Sequence, residues 1–214
     1  MAEAAAPRSP DRDWWLRAVY VLQAPRAVFA ALRDDAEAAA DARQEPALAL
    51  LVLAGIAAVL SSGAAAHLLD DPAYDGMLIV VWAFFAGSLY GATAYWLGGL
   101  VLHFGMLVLG SRGGYRRHRH LLAFAAAPIA LSLVLWAPRL ALYGGDSFRY
   151  AGADEGTGGA VFEWLQVAFF LWALALLVLG IRALERWSWG RSLSAAAVAA
   201  VLPVVIALGA SGLA

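Results

Sequence analysis

From Met77 to Gly110 the chain runs 34 residues without one Asp, Glu, Lys or Arg. Roughly 20 apolar residues in a helix cross the hydrocarbon core of a bilayer, and backbone polar groups in lipid must be satisfied within their own segment, which a helix does. The run ends on Arg112-Gly113-Gly114-Tyr115-Arg116-Arg117-His118-Arg119-His120, and the chain is then apolar again to Tyr143. Arginines in short loops stay on the cytoplasmic side of a membrane. Dividing the long run into two crossings would carry this turn outside. It therefore reads as one long helix, tilted or overhanging, with a bend at Gly98-Gly99.

The same rule threads the rest. Gln44-Glu45-Pro46 opens a helix, since proline is tolerated in a first turn, and residues 47–69 form the first crossing, closed by the acidic turn Asp70-Asp71-Pro72-Ala73-Tyr74-Asp75-Gly76. Residues 77–110 are the second crossing and 120–143 the third, kinked at Pro128. Residues 161–181 are the fourth and 192–208 the fifth, broken by Pro203. The connection 144–159, rich in glycine, reads as a flexible external loop. Thirteen of the 15 arginines then fall inside, and Arg139 and Arg149 outside; four or six crossings would move an arginine group outward. The expected architecture is all-α: a polytopic bundle of five transmembrane helices (46–214) behind a cytoplasmic segment (1–45) that carries amphipathic interfacial helices. The N-terminus lies in the cytoplasm and the C-terminus outside the cell membrane.

Composition agrees, with 63% hydrophobic and 14% charged residues against about half and a quarter in soluble domains. Cysteine is absent, which removes disulfides, thiolate metal sites and cysteine nucleophiles. Lysine is absent too, and with the abundance of alanine this points to a high-GC bacterial genome and a bacterial inner membrane. No signal-peptide pattern occupies the first 45 residues. Trp14, Trp15, Val19 and Leu22 alternate with Arg12, Asp13 and Arg17, as in a helix lying at an interface. Pro25 opens a second, with Val28, Phe29 and Leu32 on one side and Arg26, Arg33, Asp34 and Asp35 opposing them. The two helices either lie on the inner bilayer face or cap the bundle from below.

Candidate sites are few. Arg112, Arg116, Arg117 and Arg119 are placed to touch anionic lipid headgroups or a partner, each worth around 1 kcal/mol near a charged surface, with topology alone as the bland alternative. His118-x-His120 has metal-like spacing but sits among arginines with no cysteine or carboxylate nearby in sequence, so no metal is assigned. His103, about 10 Å above the inner end of the second crossing at 1.5 Å per residue, is expected to hydrogen-bond backbone, and His67 to be interfacial. Arg139 and Glu163 are expected to lie near each other at the outer boundary. Gly87-x-x-x-Gly91 with Ala83 and Ala94 makes a small-residue stripe for helix packing, within the chain before a dimer. No phosphate-cradling loop, zinc-binding His-Glu pair or nucleophile with a matched base is present. The expectation is of no enzyme, no cofactor and no nucleic-acid partner; the partners expected are membrane lipids and a membrane protein or a second copy.

Three stretches resemble the Ypt-interacting-protein (YIP) membrane domain: Ala24-Pro25-Arg26-Ala27-Val28-Phe29; Arg119-His120-Leu121-Leu122-Ala123-Phe124-Ala125-Ala126-Ala127-Pro128; and Leu179-Gly180-Ile181-Arg182 followed by Trp187-Ser188-Trp189-Gly190-Arg191-Ser192-Leu193-Ser194. The resemblance covers nearly all of the chain after residue 20 and identifies it as a bacterial member. In eukaryotes it implies Rab GTPase binding and vesicle traffic with a cytosolic N-terminus. It implies the fold more than the role, and offers no catalytic residues to carry over. The functional expectation is a scaffold or organiser of membrane components, against a transporter with a site at its proline-broken helices or, more weakly, a lipid enzyme. Because the chain has no cysteine, a Tyr115→Cys variant is a clean reporter of threading: membrane-impermeant maleimide is expected to label it only after the membrane is opened.

Overall fold

The structure, a computed structural model, describes residues 10–34 and 36–199. Those residues contain helices and turns but no strand. Three short helices come first, α1 (Pro10–Tyr20), α2 (Pro25–Ala31) and α3 (Glu37–Ala42), followed by α4 (Gln44–Leu60). Then come α5 (Gly76–Thr93), a π turn over Ala94–Gly98, and α6 (Gly99–Val108). The arginine turn leads into α7 (Tyr115–Ala125), α8 (Ala127–Leu131) and α9 (Trp136–Tyr143), and the long α10 (Thr157–Glu185) follows. Residues 189–199 are helical and are called α11.

Four segments among the described residues are long and apolar enough to cross a membrane: Glu37–Leu60, Gly76–Val108, Tyr115–Phe148 and Thr157–Glu185. The chain is a multi-pass integral membrane protein. The fifth expected crossing, 192–208, continues past residue 199 and so lies partly outside the described residues.

The long uncharged run is one continuous segment, Gly76–Val108. It starts where Asp75 caps α5, its carboxylate accepting the Leu78 N–H at 3.0 Å, and its irregularity is the π turn just before Gly99. The first crossing differs from expectation. It ends at Leu60, not near residue 69, because Ser62 turns back on the chain and donates its hydroxyl to the Val59 carbonyl at 2.7 Å. A serine that bonds local backbone competes with the helix, a signal hidden inside an otherwise apolar run. Residues 65–70 form a 3-10 turn instead. Pro128 breaks the third crossing by resetting it: α7 stops at Ala126, and the proline occupies the first turn of α8, where its missing N–H leaves no gap. The expected flexible loop after Tyr143 holds two 3-10 turns, and Phe148 within it is buried, stacked on Trp136 with ring centres 5.5 Å apart.

The core is continuous from Trp14, Phe29 and Leu32 through Leu51, Tyr95, Leu102, Leu121, Phe124 and Ile181 to Ala195 and Ala196. Helix α7 is its centre, with every residue from His118 to Ala125 buried except Leu122, which is half-buried. The apolar side of α2 (Val28, Phe29, Leu32) is wholly inside, and the Phe29 ring lies against Gly180 of α10, where an added Cβ would come within 3.1 Å. On α1, Trp14 packs against Phe124 with ring centres 5.6 Å apart, while Trp15, Leu16, Val19 and Tyr20 face outward. The first two helices thus cap the bundle with one face and leave a second apolar face on α1 exposed.

Gly87 and Gly91 lie against Gly55 and its neighbours on α4: an added Cβ on Gly91 would sit 2.7 Å from the Val52 Cα and foul the Leu51 carbonyl. This stripe is therefore occupied within the chain. Gly91→Ala is expected to destabilise the protein by about 1–3 kcal/mol through overpacking, read by denaturant titration in detergent, whereas Gly63→Ala, with nothing within 4 Å, leaves the midpoint unchanged.

Candidate functional site

Among the described residues, the arginine end of the bundle gathers most of the buried polar groups. Its geometry begins with the turn out of α6. Gly110 has φ +84°, a backbone that glycine adopts readily, and it reverses the chain. The Ser111 N–H then donates to the Met106 carbonyl at 2.9 Å, and the Gly113 N–H donates to the Ser111 hydroxyl at 3.0 Å. The chain enters α7 from this closed turn, with charged and imidazole side chains on three different sides of the helix.

Toward α6 and α10 lies His118, fully buried. Its Nδ1 is 2.8 Å from the Nδ1 of His103, and its Nε2 is 3.5 Å from a Glu185 carboxylate oxygen and 3.4 Å from the Ser111 hydroxyl. The contacts make a string, His103–His118–Glu185, in which the His118 Nε2–H donates to the carboxylate. Toward α3 lies His120, also fully buried, whose Nδ1 accepts from the Arg43 Nε at 2.8 Å. An imidazole nitrogen that accepts from a guanidinium is unprotonated there, so His120 is neutral with its proton on Nε2. Arg43 has no exposed surface, donates also to the Asp34 carbonyl at 2.6 Å, and lies 5.7 Å from the Trp14 ring centre.

Toward α5 and the π turn lies Arg119. Its guanidinium is 4.3, 5.0 and 5.4 Å from the ring centres of Trp96, Tyr95 and Tyr115, and it donates to the Gln44 side-chain oxygen at 3.3 Å. Three aromatic faces around a guanidinium stabilise it by cation–π attraction where water is excluded. Arg117 is half-buried and donates to the Arg33 carbonyl at 3.1 Å; Arg116 is half-buried, and Arg112 is exposed.

The four arginines of the turn therefore have different places. Arg119 is an interior group, Arg117 ties α7 to the chain after α2, Arg116 is half-buried and Arg112 is exposed. His118 and His120, close in sequence, diverge to separate partners. At the far end Arg139 pairs with Asp154 at 2.7 Å, and Arg139 and Glu163 line one cavity of about 360 Å³. Three participants were not legible as site residues. Arg43 and Glu185 read as ordinary boundary charges, and Gln44 as part of a helix start; each meets its partner across 75 residues or so of chain.

A family model of the Yip1 domain matches residues 19–211. The chain belongs to the Yip1 family. No curated protein and no solved structure matches it. The Yip1 match begins within α1 and takes in α2, the arginine turn, all of α7 and the end of α10, so every buried polar contact described above, apart from the Trp14 ring beside Arg43, lies inside the Yip1 domain.

Replacing Arg43 by alanine leaves His120 Nδ1 and the Asp34 carbonyl without that donor in a closed site. The expected loss is about 2–4 kcal/mol of unfolding free energy, read by denaturant titration of the purified protein in maltoside micelles. Arg112→Ala, at the exposed end of the same cluster, leaves the midpoint unchanged.

Proposed function

We propose that this Yip1-domain chain is a non-enzymatic protein of the cell membrane that organises membrane components through lipid contacts at its arginine end, which faces the cytoplasm. The observation that carries this reading is the sorting of charge at that end. Buried polar groups bond to one another, while Arg26, Arg112 and Arg186 are exposed, as are Trp15, Tyr20 and Trp189. Tryptophan and tyrosine favour the headgroup depth, and cations at that depth attract anionic lipid. The small-residue stripe of α5 is used inside the chain, and Val80, Phe84, Phe85 and Leu89 present a broad apolar face outward, suited to acyl chains or to a membrane-protein partner, including a second copy.

A second reading, a transporter with its site at the proline-broken helix, has one observation in its favour. Beside the Pro128 break, Gln166 donates to the buried Ser132 hydroxyl at 2.9 Å, and Gln166 and Ser61 line both the outer cavity and a cavity of about 430 Å³ deeper in the bundle. That deeper cavity is walled mostly by groups such as Leu51, Ala54, Ile129 and Phe170. Carboxylates, basic side chains and histidines mark most ion and proton pathways through membranes, and none of these lines this cavity among the described residues, which favours the lipid-organising reading.

Reconstitution separates the two. In vesicles of zwitterionic lipid with a minor fraction of anionic lipid, energy transfer from labelled protein to labelled phosphatidylglycerol is expected to exceed that to labelled phosphatidylcholine. Raising salt is expected to reduce the difference. At about 1 kcal/mol per arginine, Arg112→Ala lowers local enrichment by up to about fivefold. Saturable solute flux through the same vesicles, with no lipid preference, would establish the second reading instead.

A further inference from the structure

Arg182 and Arg186 are four residues apart at the end of α10 and so share one side of it. Arg26 is in the first turn of α2, and Arg33 lies just past its C-terminal end. Because Phe29 seats α2 on Gly180 of α10, the two pairs converge: all four arginines line a single cavity of about 410 Å³, together with Ala30, Leu179, Ala183 and Trp187.

No aspartate or glutamate lines this cavity among the described residues. The acid within the same turn, Glu185, lies with its carboxylate 3.5 Å from His118 Nε2, engaged with the buried string. Arg182 has its Nε buried with no partner, and its guanidinium is held 4.5 Å from the Trp189 ring centre. A helix C-terminus presents carbonyls that repel anions, but here Arg33 covers them, donating to the carbonyls of Leu184, at 3.2 Å, and Ala183. Arg186 ends α10 in the left-handed region at φ +57°, the position where helices usually place glycine. A non-glycine residue there is strained by about 1–2 kcal/mol, and the strain puts a fourth guanidinium at the rim of the cavity.

We propose that this cavity is a binding site for a phosphate ester, carried by a lipid headgroup or by a soluble molecule. Guanidinium forks match phosphate oxygens two at a time, and clustered like charges with no acid among the described residues that line the cavity are relieved by an anion of more than one charge. Leu179, Ala30 and Ala183 supply an apolar wall for whatever the phosphate is attached to. The site rests on the lipid-organising reading only for its placement at the cytoplasmic face. Binding in micelles does not depend on orientation, so either can fail without the other.

The test uses the full chain in neutral maltoside micelles at low salt, titrated calorimetrically with dioctanoyl phosphatidic acid, glycerol 3-phosphate and dioctanoyl phosphatidylcholine. Saturable binding of one or both of the first two is expected, with little of the zwitterionic lipid. Loss of one charge-assisted contact weakens affinity by about tenfold or more, so Arg182→Gln and Arg186→Gly should each do so. Arg186→Gly separates binding from folding: it should weaken the ligand while leaving the unfolding midpoint unchanged or raised, since glycine takes this backbone without strain. Arg149→Gln removes the same charge from the opposite end and should leave affinity unchanged. Binding of the lipid alone assigns the site to a headgroup, and binding of glycerol 3-phosphate alone assigns it to a soluble ester. The proposal is overturned if neither phosphate probe binds, if neither cavity variant weakens binding, or if Arg149→Gln weakens it equally.

Discussion

The fold depends on burying a helix start that composition alone would leave in water. The first turns of α7 read Tyr-Arg-Arg-His-Arg-His, yet His118, Arg119 and His120 are interior. Taking such groups out of water costs several kcal/mol each unless partners replace the lost hydration. The partners come from everywhere else in the chain: His103 from α6, Glu185 from α10, Arg43 and Gln44 from the α3–α4 junction, and an aromatic cage from the π turn. Once these contacts are required, the order of packing around α7 follows. The N-terminal helices must come in beneath the bundle, because Arg43 and the Arg33 carbonyl sit at their ends.

This explains which parts of the molecule can be read from its sequence. Charge-free length and loop sign are local properties, so the long second crossing and the reset at Pro128 are legible residue by residue. The pairing of Gly87 and Gly91 is half legible: the stripe is local, but its partner Gly55 is on another helix. The polar contacts are not legible, for a specific reason. Where a helix is buried nearly all round, as α7 is from His118 to Ala125, no amphipathic phase distinguishes an interior arginine from one at the rim. Arg112 and Arg119 are the same residue type in the same turn, and only the rings of Tyr95 and Trp96, more than 20 positions away from Arg119, separate their roles.

The irregular backbone of the second crossing belongs to the same requirement. Consecutive residues on an α-helix point about 100° apart and do not normally serve one neighbour. Tyr95 and Trp96 are consecutive, yet both have their rings within 5.0 Å of the Arg119 guanidinium by centre distance. They lie in the π turn, where the backbone ladder is interrupted and Gly99 N–H reaches the Ala94 carbonyl five residues back. The same turn supplies the Trp96 carbonyl that accepts the Tyr115 hydroxyl at 2.6 Å. Single π turns inside helices are uncommon and often sit at functional positions. Here the turn has a structural reason that can be stated: it brings two adjacent rings and one carbonyl to the entry of α7, and Gly99 beside it has no side chain, so the Arg119 backbone can approach closely enough to be caged. A regular helix from Gly76 to Val108 would present one of the two rings to Arg119 and turn the other away, leaving the buried cation with one aromatic partner from this crossing besides Tyr115. The irregularity beside the glycine pair is thus better understood as a response to the charge it faces.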